Sequence, residues 1–370
     1  MIKLTEIKVY NIELPLKNPF RSANQLLASK QALLLKIKDD SGYEAWSECS
    51  AQQHPYYHPE TVQTSTHILT QYLIPLMLQN SFKHPREIIL YLNQHISGHN
   101  FAKAAIEMGC WVIAALQKQQ SLATFIQSKK ETISSGTVIP IKSIEQSKKV
   151  LATAITKKYH RIKIKGDGSS SFNVLHQIIS DVPNTITIVL DSNGRLNADQ
   201  LSQISRVSTI DAFEQPYPTY TKKTHNHFQE KIDQPIFLDE SANTISDIEN
   251  MLTDGVKGIV IKPGRLGGFQ NSLSALQLVH LNQANCWCGG MHETGIGKAY
   301  NIALAARSEF NWVGDFTESD YYWKQDIIQD PWESNVNGEF NVPFSTPGLG
   351  VNVNEEYIKH VSTDIRTIKM

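Results

Sequence analysis

The sequence predicts an α/β chain in which a barrel of alternating strands and helices follows a smaller α+β region. Two observations carry this. From Ser134 onward, short apolar runs alternate with amphipathic helical segments, whereas the first 125 residues hold strands and then helices. In addition, five charged residues each close one of those short runs: Lys165 in RIKIKG, Asp191 in TIVLDSNG, Glu214 in DAFEQP, Asp239 in PIFLDES and Lys262 in GIVIKPG. They fall at intervals of 26, 23, 25 and 23 residues. A strand of about five residues, a helix of about ten and two short loops make roughly that period. Ionisable groups at the same point of every unit are costly in a core, so the pattern implies a shared site and an enzyme.

The elements follow in order. MIKLTEIKVYNIELPL and ALLLKIKD alternate as strands do, and DDSG before YEAWSE makes a hairpin turn. Segments 60–79, 85–97 and 102–119 carry helical spacing, with Pro59 and Pro85 near helix starts. The strands of the second region are expected at 136–141, 161–165, 186–191, 211–215, 235–240, 258–262 and 285–290, with an eighth near 311–316. IEQSKKVLATAITKKY and NSLSALQLVHLNQA are helices between them. This number of units fits a closed barrel better than an open doubly wound sheet, and no glycine-rich dinucleotide fingerprint follows any strand. The segment 320–370, with short β-like pieces GEFNVPF and GLGVNVN, is expected to pack back on the first region. The domains expected are therefore 1–125 joined by 320–370, and 126–319.

Composition narrows the function. In 370 residues, 35 Lys and Arg nearly cancel 36 Asp and Glu, which gives no electrostatic case for nucleic acid or an anionic membrane as partner. No apolar stretch approaches the ~18 residues of a membrane span, and the first residues lack the order of a signal peptide, so a cytoplasmic protein is expected. A homo-oligomer is compatible with the sequence, which does not define the assembly. Cys49, Cys110, Cys286 and Cys288 contain no C-x-x-C pair and read as buried thiols rather than a zinc site.

In a barrel, a site gathers at the carboxyl ends of the strands. Asp191, Glu214 and Asp239 would lie on the third, fourth and fifth strands, about 4.8 Å apart, and converge. Three such anions cannot all stay ionised without a cation, and an all-oxygen site suits Mg²⁺, with Mn²⁺ as a substitute. Lys163 and Lys165, two apart on a strand, point the same way, and Lys262 comes from the opposite wall. Two amines on opposite sides of a metal-bound carboxylate address both faces of its α-carbon, so that a lysine takes the α-proton while the metal stabilises the enediolate. Nearby cations would favour the neutral amine. Singly, each residue has a plain reading: an edge lysine, a helix N-terminus at Asp239 and Glu240, a turn at Asp191. Five in register do not.

The ordered set K-x-K in RIKIK, D-x-N in LDSNG, FEQP, LDE, IKPGRLGG and WCGGMHETGIG resembles the enolase superfamily, in its o-succinylbenzoate synthase and N-acylamino acid racemase branch, over nearly the whole chain. The resemblance implies a (β/α)₇β TIM-like barrel with an α+β capping domain formed by the N-terminal region and C-terminal tail. It makes Lys165 and Lys262 the acid/base lysines, Lys163 their supporting member, and Asp191, Glu214 and Asp239 the Mg²⁺ ligands. Mobile capping loops match 18–27 and 51–60, where Phe20, Tyr56 and Tyr57 are candidates to close over a substrate. Gly290, Met291 and Glu293 would border a succinyl or acyl group, with His292 between them. Arg265 resembles the arginine that accompanies racemase activity. Departures are Val112 after Trp111, Val138 on the first strand and Gly166 after K-x-K. They bear on which substrate fits and leave the proton chemistry alone.

The small-molecule carboxylate implied is 2-succinyl-6-hydroxy-2,4-cyclohexadiene-1-carboxylate, dehydrated to o-succinylbenzoate in menaquinone biosynthesis. The alternative is racemisation of N-succinyl or other N-acyl amino acids, or both activities in one enzyme. Muconate lactonisation or dipeptide epimerisation is a runner-up within the fold. A catalytically inactive barrel serving as a binding protein is the reading from another class, and the intact set of five residues argues against it.

Overall fold

The computed structural model describes residues 1–21, 26–140, 143–166, 172–180 and 182–369; the side chain of Phe20 lies outside the described residues. The N-terminal strands Ile2–Arg21, Leu26–Asp39 and Glu44–Cys49 form an antiparallel sheet. Its inward positions, among them Ile7, Val9, Leu33, Leu35 and Ile37, are fully buried. The strand Ser362–Lys369 adds to the free edge of the first strand, with Ile7 opposite Ile368. A second piece of the tail, Glu339–Asn341, pairs instead with Thr132–Ser134, just ahead of the barrel. Helices follow the sheet. The first runs from Val62 and widens into a π turn at Leu69–Leu73 before Ile74–Leu78. Pro75 has no N–H for the carbonyl four residues earlier, which accounts for the widening there. Asn100–Gln117 is buried along most of its length, including Val112.

Seven parallel strands then pair in chain order: Gly136–Pro140, Arg161–Lys165, Thr187–Asp191, Ala212–Glu214, Ile236–Leu238, Gly258–Ile261 and Asn285–Cys288. The second and third strands end on Lys165 and Asp191 as expected, whereas the fifth and sixth stop short, because Asp239 and Lys262 already lie in the turns. Residues 311–316 form no eighth strand, a correction to the expectation. They still bridge the sheet edges: Trp312 N–H donates to Cys286 O at 3.2 Å, Asp315 N–H to Cys288 O at 3.0 Å, and Gly136 N–H to Phe316 O at 2.8 Å. Successive parallel-ladder bonds on one strand are two residues apart. Here two acceptors two apart meet donors three apart, and the extra residue breaks the ladder.

The barrel interior fixes where the charged residues point. Val189, Ala212, Phe237, Val260 and Trp287 form one fully buried layer against Trp312. Four of them stand two residues before Asp191, Glu214, Asp239 and Lys262. Side chains two apart on a strand share a face, so the layer that fills the barrel sets the next layer over its mouth. Ladder register puts Lys165 beside Asp191 and Asp191 beside Glu214. All four cysteines are buried free thiols. No helix among the described residues is long and apolar enough to cross a membrane.

Candidate active site

The cavity over the strand ends is lined by Lys163, Lys165, Asp191, Glu214, Asp239 and Lys262, together with Tyr57 and the loop after the seventh strand. Each carboxylate faces a cation. Lys165 Nζ is 2.8 Å from Asp191 Oδ2 and donates to Asn193 Oδ1 at 3.0 Å. Lys163 Nζ donates to Glu214 Oε1 at 2.9 Å and to Asp315 Oδ2 at 3.0 Å. It also lies 2.7 Å from Glu214 Oε2, an ion-pair contact without hydrogen-bond direction. Lys262 Nζ donates to Asp239 Oδ2 at 2.8 Å and to Tyr57 Oη at 2.9 Å.

Charge balance follows from burial and neighbours. Burial alone would raise Asp239, yet Lys262 and Arg265 hold it well below the usual carboxylate range. Asp191 is likewise lowered by Lys165 and Lys163 against the effect of burial. Glu214 goes the other way: burial and the nearby Asp191 charge raise it. Burial lowers Lys163. Burial acts the same way on Lys165, but the Asp191 carboxylate outweighs it and raises Lys165. The expectation of a neutral amine is therefore not met while Asp191 faces Lys165. For Lys165 to take a proton, the charge of Asp191 must be turned to another cation.

Asp191, Glu214 and Asp239 are the oxygen donors that could hold such a cation. Among the described residues, no three His, Cys, Asp or Glu side chains already stand in a common coordination group. The donor set nonetheless fits a hard divalent ion: three carboxylates on consecutive strands, no sulfur or imidazole, and an undirected oxygen on Glu214.

The remaining expected residues divide. Gly290, Met291, His292 and Glu293 line the cavity, and Met291 N–H donates to Glu293 Oε2 at 2.7 Å. Tyr57 is drawn in: its hydroxyl donates to Asp239 Oδ2 at 2.8 Å and accepts from Arg265 Nη1 at 3.1 Å. Tyr56 is 62% exposed and turned away from the cavity lining. Arg265 does not line the cavity. It is buried behind Asp239, with Nη1 2.8 Å from Oδ1 and Nε donating to Ala242 O at 3.0 Å, so it reaches the site through Asp239 and Tyr57. Val138 lines the cavity from the first strand.

Sequence reasoning missed Asp315, Arg161, Lys30 and Glu48. Asp315 joins Arg161 to Lys163. Lys30, on the N-terminal sheet, donates to the main-chain oxygens of Met291 and His292. Glu48 accepts from Thr294 N–H at 3.0 Å, Thr294 Oγ1 at 2.6 Å and Gly297 N–H at 3.0 Å, tying the sheet to the helix that follows the loop. Alternation in RIKIK places Arg161 on the same face as Lys163, which is the one signal that could have found it.

Comparison with known proteins agrees with this geometry. Residues 4–126 match the mandelate racemase / muconate lactonizing enzyme N-terminal domain, and residues 146–357 match the enolase C-terminal domain-like family. An o-succinylbenzoate synthase of Bacillus subtilis (strain 168) is 32% identical over 369 residues, covering 98% of each chain. An N-succinylamino acid racemase of an Amycolatopsis species is 29% identical over 366 residues, again 98% of each. A crystal structure of an enolase-superfamily member from Listeria innocua Clip11262 superposes over 100% of both chains with a TM-score of 0.94 and 28% identity.

Proposed function

This chain belongs to the enolase superfamily, in the branch of o-succinylbenzoate synthases and N-succinylamino acid racemases, and we propose that it is itself a carbon–oxygen lyase. The reaction is the syn dehydration of 2-succinyl-6-hydroxy-2,4-cyclohexadiene-1-carboxylate to o-succinylbenzoate, in the cytoplasm. The observation that carries the reading is the pair of amines on separate walls, Lys165 against Asp191 and Lys262 against Asp239, with Glu214 on the strand between.

Lys165 Nζ takes the proton from the carbon bearing the carboxylate. The electron pair released becomes a ring double bond as the C–O bond breaks on the same face. Lys165 then returns its proton to the departing hydroxyl, so that water leaves and the ring is aromatic. Lys262 works from the opposite face by its charge, held by Asp239 and Tyr57. Lys163, clamped between Glu214 and Asp315, adds a fixed positive charge beside the reacting carboxylate. Asp191, Glu214 and Asp239 would hold Mg²⁺, with Mn²⁺ able to replace it, and the ion's chemistry is Lewis-acid stabilisation of the charge that develops on the substrate carboxylate. Of the loop aromatics, Tyr57 lines the cavity and closes over the substrate ring, and Gly290, Met291 and Glu293 border the succinyl group.

A second reading rests on a specific symmetry. Lys262 stands as close to Asp239 as Lys165 does to Asp191, 2.8 Å each, and Arg265 holds the other oxygen of Asp239. Two equivalent amines suit proton exchange on both faces of an N-succinyl amino acid, which is racemisation. The test is to give the purified, Mg²⁺-loaded protein each substrate. Conversion of the diene supports the synthase, and racemisation alone supports the second reading. Inertness toward both would overturn the two together and favour a lactonising or epimerising activity.

A further inference from the structure

The charged residues assigned above to the reaction, Lys163, Lys165, Asp191, Glu214, Asp239 and Lys262, come from the second to sixth strands. The rest of the lining adds the carboxylates Glu293, held by Met291 N–H, and Asp315, paired with Arg161 and Lys163. The other arc of the wall, contributed by the seventh strand, the closing segment and the first strand, has no assigned cation. Among the described lining residues, that arc supplies a single lysine or arginine, Lys298. It sits in the first turn of the helix Gly295–Ala305 and is 7% exposed. Its Nζ donates to the main-chain oxygen of Thr317 at 2.7 Å. No carboxylate of the described residues pairs with it, so an ammonium with three donors has one of them engaged.

The nearest acidic groups are already occupied. Asp326 accepts from Gly295 N–H and Ser319 Oγ, Glu318 takes Lys157 and Ser334, Asp320 pairs with Lys17, and Glu293 accepts from Met291 N–H. Burial pushes the Lys298 amine down to about 8, while those acids act in the opposite sense from beyond contact range. A buried, incompletely paired cation at a cavity wall is costly unless a ligand completes it.

We propose that Lys298 anchors a second carboxylate of the substrate, the one that ends the succinyl tail, and so selects dicarboxylates over monocarboxylates. The inference rests on the substrate class proposed above. Both candidate substrates carry one carboxylate at the reacting carbon and another at the end of a succinyl chain. With the first held by the flanking lysines and by the Mg²⁺ that Asp191, Glu214 and Asp239 would bind, the tail runs toward the remaining arc. Lys298 is the group there that matches its charge. One shared anchor explains how a single site accepts a cyclic diene and an N-succinyl amino acid.

Calorimetry on the Mg²⁺-loaded protein tests this with o-succinylbenzoate and 2-butanoylbenzoate, which lacks the terminal carboxylate. Wild type is expected to bind the dicarboxylate about 10- to 100-fold tighter, the range of a charge-assisted hydrogen bond. Lys298→Met should erase that preference and leave 2-butanoylbenzoate within about twofold of wild type, whereas Lys298→Arg should keep it. Equal affinities in wild type, or an equal loss for both ligands in Lys298→Met, would overturn the proposal. The wild-type comparison decides it even if the variant fails to fold. A protein that dehydrates the diene but shows no preference refutes Lys298 alone. One that is catalytically inert yet shows the Lys298-dependent preference refutes the reaction and leaves the anchor standing.

Discussion

Replacing Asp315 by Asn removes the counter-charge of two buried cations at once. Arg161 pairs with Oδ1 and Lys163 Nζ lies 3.0 Å from Oδ2. Arg161 is 1% exposed, and its Nε and Nη1 have no hydrogen-bond partner, so Asp315 is its ion partner. The guanidinium also lies 4.7 Å from the Trp287 ring, which offsets little of a lost charge. At an effective dielectric of about 20, unit charges 3.0 Å apart attract by roughly 5.5 kcal/mol, an upper bound before desolvation. Removing one partner of a buried pair costs about 3–5 kcal/mol. Lys163 keeps Glu214 but Arg161 is stranded, so Asp315→Asn should destabilise by about 3–5 kcal/mol in urea unfolding. Arg161→Met on top of it removes the stranded charge and should recover about 2 kcal/mol. A loss below about 1 kcal/mol, or strict additivity of the two changes, would refute the reasoning.

Other outcomes follow from the same contacts. Lys165→Ala should abolish dehydration and racemisation, while Lys262→Ala should abolish racemisation and slow dehydration by about 10²–10³-fold; full dehydratase activity in Lys165→Ala would overturn the assignment. Chelation should remove activity and Mg²⁺ or Mn²⁺ restore it, and recovery with Zn²⁺ alone would contradict an all-oxygen site. Burial raises Glu48 to about 7 in the folded chain, against about 4.5 when unfolded. The folded state therefore holds the extra proton between those values. The stabilisation is fully present below 4.5 and is lost as pH rises through 7, by about 3 kcal/mol in all. Urea melts of wild type and Glu48→Gln from pH 5 to 8 should converge or cross accordingly. A difference that stays constant over that range would rule the protonated form out.

Much of the barrel was legible because its signals are local. Short apolar runs ending in one charge recur, and a period of two carries each charge to the same face as the filling residue before it. The N-terminal strand's alternation was equally plain. What escaped depends on partners far away in the chain. Asp315 lies in NWVGDF, whose donors to the seventh strand are three apart, so no strand periodicity marks it. Its cations are more than 150 residues distant, and nothing in RIKIK says which carboxylate meets Arg161. Lys298 looks like an ordinary residue in a helix start until the closing segment buries it. Ser362–Lys369 lacks an apolar alternation because it is a largely exposed edge strand held by backbone pairing. Tyr57 could be named from a loop, but only the fold shows its hydroxyl between Lys262 and Asp239.

The central claim is that two lysines address opposite faces of one α-carbon. Its most direct test is α-proton exchange in D₂O on the separate enantiomers of an N-succinyl amino acid, with Mg²⁺ present, followed by proton NMR. Wild type should exchange both enantiomers. Lys165→Ala and Lys262→Ala should each lose one, and the enantiomer lost should differ between them. No exchange of either enantiomer by wild type, or loss of the same enantiomer in both variants, would contradict the account.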